Sequence, residues 1–377
     1  MFRAVQLPPS TLGGMSDGSS DVAGDVLRTR FCDLVGVRYP IVQTGMGWVS
    51  GAALTAATSA AGGFGILAAV TMSTDQLERA VRDVKERTDK PFGVNFRADQ
   101  PDLVERISFV AAEGVRLVSF AGAPTREAIG RLHEAGVLVM PTVGARRHAE
   151  KMLGWGVDAV IAQGGEGGGH TGTVPTSLLL PQVCDAVGAD IPVLGAGGFH
   201  DGRGLIAALA WGATGVAMGT RFLLTQESKV PEVIKQRYLE ASVTDTVVTT
   251  ALDGAPQRVI RTQLVDELEK SSVVTRLPRA LGSALAFRKV TGTPLRSLVE
   301  EGLAMHKHQD LSWSQLAMAA NAPMLIKAAL VDGDTTIGVL PTGQVTGVID
   351  ELPTVAALIE RVMADARATL DRLGGRR

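Results

Sequence analysis

The sequence predicts an α/β protein, a (β/α)8 barrel with an additional C-terminal helical subdomain. Two observations predict it. Eight short apolar runs recur between residues 40 and 219, and helical stretches lie between them, set off by glycine or polar breaks. The runs also lack clear polar alternation, as do strands buried on both faces of a parallel sheet. Eight alternating units favour a closed barrel. An open doubly wound sheet is the alternative, because periodicity alone does not reveal closure.

In chain order, the runs are 41–44, 64–69, 92–96, 116–121, 138–143, 159–162, 191–195 and 216–219. Between them, 74–85 opens with an N-cap at Ser73 or Thr74 and carries Leu77, Ala80, Val81 and Val84 at helical spacing. The helical pattern 126–135 precedes Gly136, a suitable C′ residue, 148–153 ends near Gly154, and 202–211 runs into Gly212. After Arg221 the repeat stops. Helical stretches at 231–241, 278–290, 293–305 and 312–330 predict a helical lid or substrate subdomain over 226–336, beyond a barrel spanning 25–225. Residues 337–377 return through glycine-rich turns to an amphipathic helix at 354–373, suited to be the closing helix of the barrel. Residues 1–24, rich in Gly, Ser and Asp, read as a disordered, dispensable tail.

Composition narrows the function. Across 377 residues the chain is 45% hydrophobic and 20% charged, with a formal charge of -2. That leaves no electrostatic footprint for nucleic acid or an anionic membrane. No stretch of 18 apolar residues is present, so no membrane span is expected. Cys32 and Cys184 lie far apart without ligand spacing, as free thiols in a reducing cytoplasm would. There is no Walker sequence, GxSxG elbow or Cys/His metal cluster; His306 and His308 stand without companions, and no metal is expected.

The chemistry is expected at the C-terminal strand ends. The stretch 158–172, DAVIAQGGEGGGHTG, is a buried run ending in Gln163 and a loop with almost no side chains, in which His170 is the one imidazole. Such a loop lets backbone approach a flat or phosphorylated ligand; the plainer alternative is a surface turn. Gly195, Gly197 and Gly198 follow the seventh run, and Gly219 and Thr220 the eighth, which is the phosphate-binding position of this fold. Gly45, Met46 and Gly47 after the first run, with Gly168 and Gly169, leave room for a planar ring against the backbone. Asn95, ending the third run, offers both a donor and an acceptor. A single phosphate site beside a flat slot suggests FMN.

Six ordered motifs then carry a resemblance: YPIVQTGMGWVSG, TSAAGGFGILAA, KPFGVNF, GVDAVIAQGGEGGGHTG, IPVLGAGGFHDGRG and GATGVAMGTRFL. Over residues 38–228 they resemble the nitronate monooxygenase (2-nitropropane dioxygenase) family. The resemblance implies a TIM barrel with noncovalent FMN. By motif, Gly45 to Gly47 lie by the flavin ring, Asn95 binds it, and Gly168 and Gly169 flank it. Gly195, Gly197, Gly198, Gly219 and Thr220 form the phosphate cradle, and His170 is the active-site histidine. The expected partners are NAD(P)H or molecular oxygen beside the substrate, and the expected assembly is a homo-oligomer. One motif departs: where nitronate oxidisers carry a strand-four histidine, this chain reads Ser119-Phe120-Ala121. The segment 226–350 resembles an actinobacterial branch that acts on CoA thioesters in steroid degradation. The expected protein is a cytoplasmic FMN-dependent oxidoreductase of a small or CoA-linked substrate. The rivals are a flavin-binding protein without turnover and a sugar-phosphate barrel. Of the remaining candidates, Glu166 orients its loop or is solvated, while His133, His148 and His200 read as surface residues. Trp48 and Trp155 read as packing, and Arg221 as structural.

Overall fold

The structure is a computed structural model that describes residues 26–270 and 321–375. Eight parallel strands close the barrel: β1 (Ile41–Gln43), β2 (Phe64–Ala68), β3 (Gly93–Phe96), β4 (Leu117–Phe120), β5 (Leu138–Val143), β6 (Val160–Gln163), β8 (Val193–Ala196) and β9 (Gly215–Met218). Closure comes from β9 returning to β1, with Val42 opposite Ala217 and Gln43 opposite Met218. The expected barrel is therefore the observed one, and the open sheet is ruled out.

Helices alternate with the strands: α2 (Ala52–Ala60), α3 (Thr74–Arg87), α4 (Leu103–Ala112), α5 (Arg126–Glu134), α6 (Arg146–Leu153), α7 (Thr176–Val187) and α8 (Gly202–Ala210). Local chemistry starts several of them. Ser73 and Gln76 form a capping box ahead of α3, and the Thr125 and Asp201 side chains accept backbone N–H groups at the starts of α5 and α8. A short helix, α1 (Arg30–Val35), plugs the barrel: Phe31, Cys32 and Val35 are buried with Val42, Phe64 and Ile66, and the Phe31 ring meets Phe64 edge-on at 6.1 Å. Cys32 and Cys184 are free and buried, and burial pushes the Cys184 thiol up to about 12, an inert group.

The final helix, α13 (Val355–Leu373), is capped by Thr354 and packs on α8 and α2. The approach to α8 is backbone to backbone: a Cβ on Gly202 would stand 2.2 Å from Ala366 N and 2.3 Å from Val362 O. Gly202→Val should therefore destabilise the protein by about 3 kcal/mol, a fall of roughly 6–12 °C in Tm. Thermal unfolding that leaves Tm unchanged would show that α13 does not sit so close.

Beyond the barrel lie α9 (Thr220–Leu223), α10 (Glu232–Glu240), α11 (Gln263–Lys270) and α12 (Asn321–Leu330). The sequence reads this segment as helical, and here the structure differs. Strands β10 (Thr246–Thr249) and β11 (Gln257–Ile260) form an antiparallel hairpin, joined by the two-residue β7 (Gly169–His170) in a second sheet ordered β10-β11-β7. Each strand is short and partly exposed, so neither shows as an apolar run. A small core of Leu252, Val259, Val265, Leu268, Leu325 and Val339 supports the sheet. The expected tail at 1–24, the helices expected at 278–290 and 293–305, and His306 and His308 lie outside the described residues. Among those that are described, no helix is long and apolar enough to cross a membrane, and no group of three His, Cys, Asp or Glu is placed to hold a metal ion.

Candidate functional site

With α1 filling one end of the barrel, the strand C-termini form the open end, and most of the candidate residues gather there. The turn after β1 is pinned from within: Gln43 Nε2 donates to Ser50 Oγ (2.8 Å), and Ser50 Oγ accepts from Met46 N (2.9 Å). Gly45 is required by its neighbour, since a Cβ there would stand 2.4 Å from Asn95 Cβ. Met46 lies over Gly219, its sulfur 3.4 Å from where a Cβ on that glycine would be. The turn ends at Trp48, held at φ 68, a conformation adopted among the described residues otherwise only by glycines. Asn95 is buried and donates through Nδ2 to Ser119 Oγ (2.9 Å), leaving Oδ1 without a hydrogen-bond partner among the described residues.

The glycine-rich loop after β6 is held rigidly. The Glu166 carboxylate accepts Thr176 N (2.9 Å) and the Thr176 hydroxyl (2.7 Å), so it orients the loop against the start of α7. The Arg258 guanidinium on β11 donates to Gly165 O (2.9 and 3.2 Å) and Thr246 Oγ1 (2.9 Å). Gln163 Nε2 donates to His170 O (2.8 Å). A strap at 341–344 crosses the loop from behind: Gln344 N donates to Glu166 O (3.0 Å) and Gly343 N to Thr220 Oγ1 (2.9 Å). The strap explains Gly168, where a Cβ would stand 2.3 Å from Thr342 C. Gly169 is held at φ 65, where glycine is favoured, and pairs with Arg258.

Two backbone segments face one another at the ends of β8 and β9. Gly197 and Gly198 both sit at φ 89, and a Cβ on Gly198 would meet nothing nearer than Glu166 Cβ at 3.9 Å. The N–H groups of Gly197, Gly198, Gly219 and Thr220 donate to no acceptor among the described residues. Four free amides on adjacent strand ends are a concentration of positive partial charge. Gly195 has a different reason to be glycine: its missing side chain makes room for Leu180 and Phe199 in the helical layer. Of the nearby cations, Arg221 is buried and donates to Leu224 O (3.1 Å) and Glu351 O (3.2 Å); burial lowers its guanidinium to about 10. His200, 3.6 Å from Asp201, is held below its ordinary pKa by burial.

His170 stands opposite Gln257 in the β7–β11 pairing, with its side chain 65% exposed. Its Nε2 lies 2.9 Å from Asp253 Oδ2 in the hairpin turn. Sequence reasoning missed Asp253, Gln257 and the strap. Each lies 80 or more residues along the chain from the residue it serves, and no local pattern signals them. At the end of β4, Ala121, Gly122 and Ala123 are exposed and offer no acid–base group.

A family model described as nitronate monooxygenase matches residues 28–109 and 102–365. The chain belongs to the nitronate monooxygenase family. Its relatives make it an oxidoreductase enzyme. A protein of Mycobacterium tuberculosis named (3aS,4S,5R,7aS)-5-hydroxy-7a-methyl-1-oxo-octahydro-1H-indene-4-carboxyl-CoA dehydrogenase is 56% identical over 341 residues, 90% of this chain and 96% of its own. The dehydrogenase of the same name from Rhodococcus jostii is 56% identical over 351 residues, 93% of this chain and 99% of its own. A probable nitronate monooxygenase of Staphylococcus saprophyticus is 33% identical, covering 65% of this chain and 81% of its own. Among solved structures, FabK from Thermotoga maritima superposes with a TM-score of 0.75 at 35% identity, covering 92% of this chain and 99% of its own. Nitroalkane oxidase from Streptomyces ansochromogenes gives a TM-score of 0.69 at 30% identity, covering 90% of this chain and 99% of its own.

Proposed function

We propose that this protein is a cytoplasmic, FMN-dependent dehydrogenase of a CoA thioester whose acid is a hydroxylated, fused bicyclic ring derived from a steroid. The observation that carries the reading is the 56% identity to two dehydrogenases of such a thioester along nine-tenths of the chain. That span takes in the glycine loop, the hairpin and the strap as well as the barrel.

The residues present fit a flavin mononucleotide. The four free amides of Gly197, Gly198, Gly219 and Thr220 suit one phosphate, and glycines at φ 89 let the backbone come close. Asn95 Oδ1 is an acceptor for a ring-edge N–H, with its orientation fixed by Ser119. Gly45, Met46, Gly47, Gln163, Gly168 and Gly169 would border its ring. A bound flavin would supply the hydride acceptor. The chain's own contribution is acid–base and positional. His170 would remove the proton from the carbon beside the thioester carbonyl, whose acidity that carbonyl raises, while the next carbon gives up a hydride and a double bond forms between the two carbons. Ala121 to Ala123 leave the β4 side of the mouth clear for a bulky ring and supply no competing base.

The test is anaerobic mixing of the purified, flavin-loaded protein with a hydroxylated hydrindanone-carboxyl-CoA, and separately with propyl-2-nitronate. Rapid bleaching of the flavin by the thioester and slow bleaching by the nitronate are expected, and the reverse pattern would reject the reading. Acid release should yield FMN, and FAD as the main chromophore would contradict the single-phosphate cradle. Ala121→His should raise nitronate oxidation by about a hundredfold, the low end of what a positioned base contributes. Equal rates in variant and parent would show that this position does not govern nitronate chemistry.

A further inference from the structure

We propose that Asp253 is a positioning residue for His170: it takes the hydrogen bond from Nε2–H and so leaves the Nδ1 lone pair as the base. This rests on the reading of His170 as the proton acceptor.

The hairpin builds the arrangement. Pairing of β7 with β11 sets His170 opposite Gln257, and the turn before β11 brings Asp253 beside both. Asp253 is nearly buried, its side chain 10% exposed. Its Oδ1 accepts Ala255 N at 3.1 Å, and its Oδ2 accepts Gln257 Nε2 and faces His170 Nε2 at 2.9 Å. An ionised carboxylate only accepts, so the nitrogen facing it carries the proton. Gln257 Nε2 also lies 3.2 Å from His170 Nε2. Both are donors to the shared carboxylate and do not bond each other. His170 Nδ1 has no partner among the described residues, and the ring is largely exposed. A free imidazole interconverts between its two neutral forms; a fixed acceptor at Nε2 selects one of them.

A merely structural Asp253 would tie the turn through Ala255 and Gln257 and leave the ring indifferent to it. Asp253→Asn separates the two roles. The amide keeps the size of the side chain but can turn Nδ2 toward His170, which then needs a bare Nε2 and carries its proton on Nδ1. The same inversion disables the imidazole when the triad aspartate of a serine protease becomes asparagine.

The experiment uses the full-length, flavin-loaded protein with 15N-labelled histidine, at a pH where the imidazole is neutral. His170→Ala identifies the His170 signals. In the parent protein His170 should be the Nε2–H form. In Asp253→Asn the population should move toward Nδ1–H, kcat for the thioester should fall by about tenfold or more with KM little changed, and flavin content should hold. Asp253→Glu should recover part of both. A parent His170 protonated at Nδ1 overturns the proposal, as does an Asp253→Asn protein with unaltered tautomer and kcat. Should Asp253→Asn fail to fold, the parent spectrum still decides. Full turnover in His170→Ala would reject His170 as the base, and the catalytic role of Asp253 with it. The parent tautomer reports the Asp253 bond independently of that result.

Discussion

His170→Ala is expected to keep its bound flavin and lose about 10²–10⁴ of kcat/KM toward a CoA thioester, the range a positioned general base contributes. The two halves of this expectation come from different parts of the structure. Flavin should stay because the imidazole belongs to none of the groups proposed to form the cradle: it projects from β7 and turns its Nε2 toward Asp253. The loop should also survive, because what fixes it is backbone and other side chains. Gln163 holds the His170 carbonyl rather than the ring, Arg258 holds Gly165, and Glu166 holds Thr176. Alanine removes the ring and leaves each of these bonds in place. An exposed ring also contributes little to stability, so the melting temperature should move by a degree or two at most. The measurement is steady-state turnover beside the flavin-to-protein ratio. A variant that loses flavin and activity together would make His170 a cofactor ligand. A variant within threefold of the parent would remove it from the chemistry, and His200 would become the next imidazole to examine.

What the sequence made legible follows from how each part is stabilised. All eight barrel strands announce themselves, within two residues at either end, because each is largely buried on both faces and is therefore mostly apolar. The capped helices are legible for a local reason too: Ser73, Thr125 and Asp201 meet their N–H partners within three residues. The hairpin is different. Thr246 to Thr249 and Gln257 to Ile260 are four residues each and alternate only weakly, and β7 is two residues long. Such strands exist because of what they pair with, and for His170 the partner is 87 residues further on at Gln257. The candidate site divides along the same line. Its glycines are visible as glycines, but the reason for each is not. Gly168 is small because the strap passes behind it, Gly195 because Leu180 and Phe199 fill its place, and Gly198 because its backbone sits at φ 89. A glycine-rich motif thus marks a place where backbone must come close to something, and only the packed structure tells ligand from neighbouring chain.

Gly198 gives the sharpest test of that distinction. Gly198→Asp should lower flavin affinity by about two orders of magnitude, close to 3 kcal/mol. Two effects add. At φ 89 any side chain is strained, by roughly 1–2 kcal/mol for an L residue. The carboxylate then stands among the free amides of Gly197, Gly198, Gly219 and Thr220, where it satisfies donors the phosphate needs and repels the phosphate itself. Space does not confuse the result, because a Cβ at Gly198 finds no atom closer than 3.9 Å. Gly198→Ala is the partner variant: it carries the backbone strain without the charge and should lose affinity by about tenfold. Both are read by titrating FMN into apoprotein and following the flavin fluorescence. Added sodium chloride should narrow the gap between Asp and Ala, since screening weakens the repulsion and leaves strain untouched. If Asp binds FMN as tightly as Ala, no phosphate lies at the β8 end. If both bind as tightly as the parent, these glycines serve the turn alone, and the cradle must be sought elsewhere on the rim.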